Sequence, residues 1–151
     1  MLRFRLCRLV IPRKNSRALW IWGNADFGRS GFDEESSASV HHKQHLEPIE
    51  IKVLPQNLIQ QVVCGGAHTL LLSASGRLLS CGLGSQGQLG SGMYESHGEF
   101  LPIEKMESVR QAAAGYWHSA AAMKTGEVYT WGSNRNNQVC MCVDFFIWNE
   151  L

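Results

Sequence analysis

CGGAHTLLLSASGRLLSCGLGSQGQ, residues 64–88, lies without a gap over AGYWHSAAAMKTGEVYTWGSNRNNQ, residues 114–138. Gly65 meets Gly115, His68 meets His118, Gly76 meets Gly126, Gly82 meets Gly132 and Gln88 meets Gln138, each pair 50 residues apart. A partial copy is LWIWGNADFG at 19–28, where Trp22-Gly23 corresponds to Cys81-Gly82 and Trp131-Gly132. Gly23 and Gly82 are 59 residues apart, so the first interval is nine residues longer than the second. A fixed interval decides the fold class, because units too small to bury their own apolar face must stack on neighbours of the same kind.

Each copy predicts strand, turn, strand. Residues 68–74 are apolar and β-compatible, Ser75-Gly76 supplies a tight turn, and residues 77–81 resume a strand that stops at the glycine cluster from Gly82. The next copy repeats this with 119–123, Thr125-Gly126 and 127–131, where Val128 and Thr130 alternate with Tyr129 and Trp131. A short strand, 61–64 or 109–113, precedes each hairpin. A period near 50 residues with three or four strands and no helix predicts an all-β chain, an incomplete β-propeller of about two to three antiparallel blades.

The order G-x-x-H-[ST], apolar strand, Gly, second strand, [WC]-G, G-Q-L-G-x-G resembles the repeat of the regulator of chromosome condensation family. Residues 64–92 carry it almost whole, through Gly87, Gln88, Leu89, Gly90, Ser91 and Gly92; residues 114–138 carry it as far as Gln138, and 19–28 carry only its end. Kelch repeats share the period but order their diglycine and Tyr/Trp positions differently. The resemblance implies a ring of about seven blades, of which this chain supplies a fraction, leaving a blade face and a sheet edge to be covered. It also implies a protein partner, since the family includes exchange factors for small GTPases as well as scaffolds without that activity. Gly23, Gly65, His68, Gly76, Gly82, Gly87, Gln88, Gly90, Gly115, His118, Gly126, Trp131 and Gly132 are expected to serve turns and blade packing.

Charge divides the chain unevenly. Six of the 14 basic residues, Arg3, Arg5, Arg8, Arg13, Lys14 and Arg17, precede the first acid, Asp26; the remainder carries 8 basic against 13 acidic groups, a balance of −5. A body of that sign lacks the basic surface that a phosphate backbone rewards, so nucleic acid is not the expected partner. Residues 1–18 form a basic segment, 19–138 hold the repeats (19–28 in part, about 62–92 and 109–138) and 139–151 a tail outside them. The basic segment, Arg-rich, acid-free and partly amphipathic, has the composition of a transit peptide and predicts a mitochondrial protein, with cytoplasm or nucleus as the alternative. Charges recur too often in it for a secretory signal, and no apolar run reaches the roughly 20 residues of a membrane-spanning helix. Cys7, Cys64, Cys81, Cys140 and Cys142 fit neither a disulfide framework nor a zinc ribbon.

The repeat is lost after Gln138, where VCMCVDFFIWNEL replaces the expected Leu-Gly. Val139 is encoded by GTN, the dinucleotide of a splice donor, so the tail is expected to come from a retained intron or alternative exon, with ordinary divergence of the repeat as the alternative; the first origin would make the chain a truncated isoform without activity.

No catalytic, cofactor or metal site is predicted. GLGSQG at 82–87 matches G-x-G-x-x-G, but QLGSGMYESHG cannot open the helix that would hold a pyrophosphate. Cys64, His68 and Cys81, with His41, His42 and His45 nearby, have ligand chemistry, yet the next copy places Ala114 and Trp131 at the two cysteine positions. No triad or carboxylate pair stands out. The expected function is a non-catalytic protein-interaction module, an organellar scaffold or adaptor, with guanine-nucleotide exchange on a small GTPase as the alternative. Partner contact is expected at Trp117, an aromatic in a turn, and at Asp33, Glu34 and Glu35. Those acids lie in SGFDEESSASVHHKQHLEPIE, residues 30–50, read as a polar loop projecting from the rim, with a solvated loop that recognises nothing as the alternative. Equating Pro48 with Pro102 divides the nine extra residues between the two sides of Pro48.

Overall fold

A computed structural model describes residues 8–10, 19–31, 44–51 and 59–139. Among them every regular element is a strand except one 3-10 turn, Asp26–Gly28. β1 (Arg8–Val10), β2 (Leu19–Asn24) and β3 (Gln44–Ile51) form the first sheet. β4 (Ile59–Cys64), β5 (His68–Ser73), β6 (Leu78–Gly82) and β7 (His97–Pro102) form the second, in chain order. β8 (Val109–Ala114), β9 (His118–Met123) and β10 (Val128–Gly132) form the third. All pairings are antiparallel. The chain is all-β, and each sheet is one blade.

The run Thr69-Leu70-Leu71-Leu72 shows why the blades stack. Successive strand side chains point to opposite faces. Leu70 and Leu72 pack toward the third blade with Ile103, Met106, Val109, Ala112, Ala121 and Trp131, while Leu71 packs toward the first with Leu19, Ile21, Ile59 and Leu79. Both faces of β5 are therefore covered, every residue of it is buried, and no polar alternation survives in its sequence. In β9 the buried residues, Ser119 and Ala121, are the ones that face the second blade.

The fourth strand that the repeat period allowed is residues 97–102, β7, whose place the sequence pattern did not show: HGEFLP combines Gly98 with Pro102 and buries only Gly98 fully, as suits an outer strand. Two expectations need correction. Residues 44–50, expected within a projecting loop, belong instead to β3, the corresponding outer strand of the first blade, with Leu46, Glu47 and Pro48 exposed. The pairing also moves the register. Trp20 faces Glu50 and Leu79 faces Pro102, so Glu50, not Pro48, is the equivalent of Pro102, and most of the extra length lies between β2 and β3. β1 falls inside the basic amino-terminal segment and pairs with β2 through Arg8↔Trp22, Leu9↔Ile21 and Val10↔Trp20.

The turn after the last strand of each hairpin repeats with changing side chains. Gly28 N–H donates to Ala25 O, Gly87 N–H to Gly84 O and Asn137 N–H to Asn134 O. Asn137 takes the left-handed φ of 55° that glycine supplies in the other two copies, a conformation that Asn tolerates better than most residues. Gln88 Oε1 accepts from Gln86 N–H at 2.8 Å, and Gln138 Oε1 from Asn136 N–H at 2.8 Å. Val139, in the position of Leu89, is buried as Leu89 is.

Candidate functional site

The repeated positions converge on the joints between blades. At the second joint His68 Nε2 lies 2.8 Å from Ser119 Oγ. Ser119 Oγ and Trp131 Nε1 both donate to the Gln88 carbonyl, at 2.8 and 2.9 Å. A carbonyl only accepts, so the single Ser119 proton is committed to Gln88 and the serine oxygen accepts from His68. Nε2 therefore carries the imidazole proton, and Nδ1 is a buried lone pair with no hydrogen-bond partner. Gly65 abuts that edge of the ring: a Cβ there would stand 2.5 Å from Nδ1. Gly65 N–H donates to His68 O, and Gly115 N–H to His118 O, at 2.8 Å in both copies. Burial lowers the His68 pKa from 6.5 to about 4, with His118 and Arg29 adding repulsion.

The first joint is built alike. Thr69 Oγ1 donates to the Arg29 carbonyl at 2.7 Å, and Cys81 Sγ lies 3.6 Å from the same oxygen. Arg29, which replaces the repeat glutamine, sends Nη1 to Gly66 O at 2.7 Å and Nε to Asp26 O at 2.9 Å. Gln61 adds a paired contact at the second joint, giving Nε2 to Ala112 O at 2.9 Å and taking Ala112 N–H at 3.0 Å.

The glycines do two things here. Gly23, Gly82 and Gly132 hold φ of 110°, 111° and 103°, closing equivalent strands in the three blades. Gly90 lies against Trp131, where a Cβ would approach Nε1 to 2.9 Å, and Gly87 lies near Tyr94. Gly76 and Gly126 occupy the hairpin turns. Cys64 pairs with Thr69 and Thr69 with Cys81, so the two cysteines sit two strands apart, about 9.5 Å, beyond the reach of a disulfide. Among the described residues no group of three or more His, Cys, Asp or Glu gathers as a metal site would, and no helix is long and apolar enough to cross a membrane.

One end of the blades carries the loops 65–67, 83–96 and 115–117, tied together by Leu83 N–H to Ala67 O and Gly66 N–H to Tyr116 O. Met93, Tyr94 and Tyr116 are exposed there by 61%, 67% and 52%. Trp117 is half-buried, with the Tyr116 ring edge-on at 4.9 Å. The sequence reading singled out Trp117 and missed the more exposed Tyr116 beside it, since both occupy one turn and only packing separates them. Met93 and Tyr94 were likewise missed; their place after G-Q-L-G-S-G, beyond the repeat motif, was the available signal. Asp33, Glu34 and Glu35 lie outside the described residues.

This arrangement of stacked antiparallel blades can be compared with known proteins. The regulator of chromosome condensation (RCC1) repeat matches residues 18–72 and 75–122, and a second model of that repeat matches 59–88 and 109–138. The chain belongs to the RCC1 repeat family. It is 39% identical over 89 residues to mouse RCC1 domain-containing protein 1, covering 58% of this chain and 24% of that protein. It is 33% identical over 118 residues to the mitochondrial RCC1 domain-containing protein RUG3 of Arabidopsis thaliana, covering 76% and 24%. The fold is similar to that of Prp20p from Saccharomyces cerevisiae, with a TM-score of 0.68, 24% identity, and coverage of 76% of this chain and 29% of that one. The chain thus spans about a quarter of the length of these two curated relatives, and its blades are of the RCC1 propeller type.

Proposed function

We propose that the chain is the protein-recognition part of an RCC1-type propeller acting as a non-catalytic scaffold or adaptor in mitochondria, with a protein partner held at the rim that bears Tyr94 and Tyr116. The carrying observation is a division of labour. His68, Ser119, Gln88 and Trp131 are consumed by the joint, whereas Met93, Tyr94 and the outer part of Tyr116, whose ring rests edge-on against Trp117, are exposed on one rim. Tyrosine offers a large contact area at low entropic cost, which suits recognition from a rigid loop. The binding of Gsp1p and histones studied for Prp20p supports a protein partner, and the mitochondrial relative supports the compartment suggested by the Arg-rich segment.

The test is affinity purification of the full chain from mitochondria beside Tyr94→Ser and Tyr116→Ser. The expected result is loss of specific partners at unchanged melting temperature; the same partners recovered with both variants would remove the rim reading. Fusing residues 1–30 to a fluorescent reporter tests the compartment, where a diffuse cytosolic signal is the adverse outcome. Faster release of a labelled guanine nucleotide from a small GTPase would replace the adaptor by an exchange factor.

A further inference from the structure

We propose that His68 makes the joint between the second and third blades acid-sensitive: a proton taken up at Nδ1 breaks the accommodation of the ring beside Ser119 and lets β5 and β9 separate.

The geometry leaves one place for that proton. Nε2–H is committed to Ser119 Oγ, because Ser119 spends its own proton on the Gln88 carbonyl. Nδ1 is buried without a hydrogen-bond partner, so a proton placed there becomes a buried donor lacking an acceptor. Gly65 closes over that edge of the ring, leaving little room for a water to enter while the joint stays shut. The groups bearing on the ring oppose its charge. Arg29 approaches from the turn after β2 and His118 from the start of β9. β6 contributes Gly82 opposite His68 and, beside it, the Cys81 thiol, which is held neutral by burial. Separation of the joint relieves all of this at once by returning the imidazolium to water.

The same opening reaches the rim. Gly66 N–H donates to Tyr116 O at 3.2 Å, and these residues lie two from His68 and three from Ser119, the partners of the joint contact. Acid would therefore disturb the seat of Tyr116. The switch is tested without a partner, so its failure and the failure of the rim reading are distinguishable.

Hydrogen exchange of the full chain, read by mass spectrometry at pH 7.5 and 5.0 and corrected for intrinsic pH dependence, decides the matter. Peptides covering 65–71 and 116–122 should show opening that is roughly thirtyfold more frequent at pH 5.0, the factor expected for a group titrating at 6.5 when free and about 4 when buried. His68→Gln should lack this response, and an equal response in that variant would overturn the proposal. Nuclear magnetic resonance titration of the unmodified chain gives a second reading that does not require the variant to fold. The His68 ring and the Ser119 amide should shift together with a midpoint well below 6.5; independent midpoints, or a ring that titrates at its ordinary value, would overturn it.

Discussion

Arg29 and Gln88 occupy the same repeat position and offer their backbone carbonyls to the following blade in the same way. Arg29 O takes the Thr69 hydroxyl and the Cys81 thiol; Gln88 O takes the Ser119 hydroxyl and the Trp131 indole. The donors change chemistry while the acceptor, being backbone, cannot. Ser119→Ala should cost about 2 kcal/mol, because it strips a donor from Gln88 O and also leaves His68 Nε2–H without an acceptor. Thr69→Val should cost about 1 kcal/mol, since it strips the hydroxyl donor from Arg29 O while the Cys81 thiol stays beside that oxygen. Urea denaturation measures both, and Ser119→Ala with Trp131→Phe should be non-additive because the two donors share one oxygen.

The His68 ring gives stability a pH dependence of definite sign. Its pKa is about 4 when folded against 6.5 when unfolded, so the unfolded chain binds the proton more tightly. Above pH 6.5 both states are neutral at this residue and its contribution is complete. It is lost as pH falls from 6.5 toward 4, by about 3 kcal/mol in all, and changes no further below that. The difference in unfolding free energy between the unmodified chain and His68→Gln, measured across that window, should narrow or reverse toward acid; a constant difference would contradict the assignment.

Much of this was readable from the sequence, and the exceptions share a cause. β5 and β6 announce themselves because strands buried along their whole length need apolar runs; β9 and β10, only partly buried, are marked by their alignment with those strands and by the turn glycines that punctuate both hairpins. β3 and β7 do not, because an outer strand buries little and its sequence is free to look like a loop: Leu46 and Leu101 are both exposed. The hydrogen-bond roles of Arg29 and Gln88 were hidden for another reason. Their functional atom at the joint is a carbonyl oxygen, which any residue supplies, so no side-chain pattern records it.

Gly76 and Gly126 separate backbone strain from crowding. Both hold positive φ, 92° and 104°, in equivalent hairpin turns. A Cβ at Gly76 would stand 3.1 Å from Ser108 Cα and 3.3 Å from Val109 N, whereas one at Gly126 would meet nothing within 4 Å. Gly126→Ala should therefore cost about 1–2 kcal/mol, the strain of the conformation alone. Gly76→Ala should cost more than that, because Val109 N–H donates to Gly76 O at 2.9 Å and cannot retreat without losing the bond. Melting curves of the two variants test the order.

Cys81 should be chemically silent in the folded chain. The thiolate is the reactive form, and here burial raises the thiol pKa well above 9.0, with Cys64 adding to the shift and hydrogen bonds to Thr69 only partly offsetting it. The side chain is fully enclosed beside the Arg29 carbonyl, so a reagent must wait for the first joint to open. Iodoacetamide at pH 7.5, followed by peptide mass spectrometry, should modify Cys81 at least about tenfold more slowly in the native chain than in urea, and the peptide readout keeps Cys7, Cys64, Cys140 and Cys142 from confusing the count. Thr69→Val weakens the same joint by removing its hydroxyl bond to Arg29 O, so it should raise the native labelling rate of Cys81. If that variant labels no faster than the unmodified chain, access to Cys81 is set by opening of the hairpin itself and not by separation of the first blade from the second.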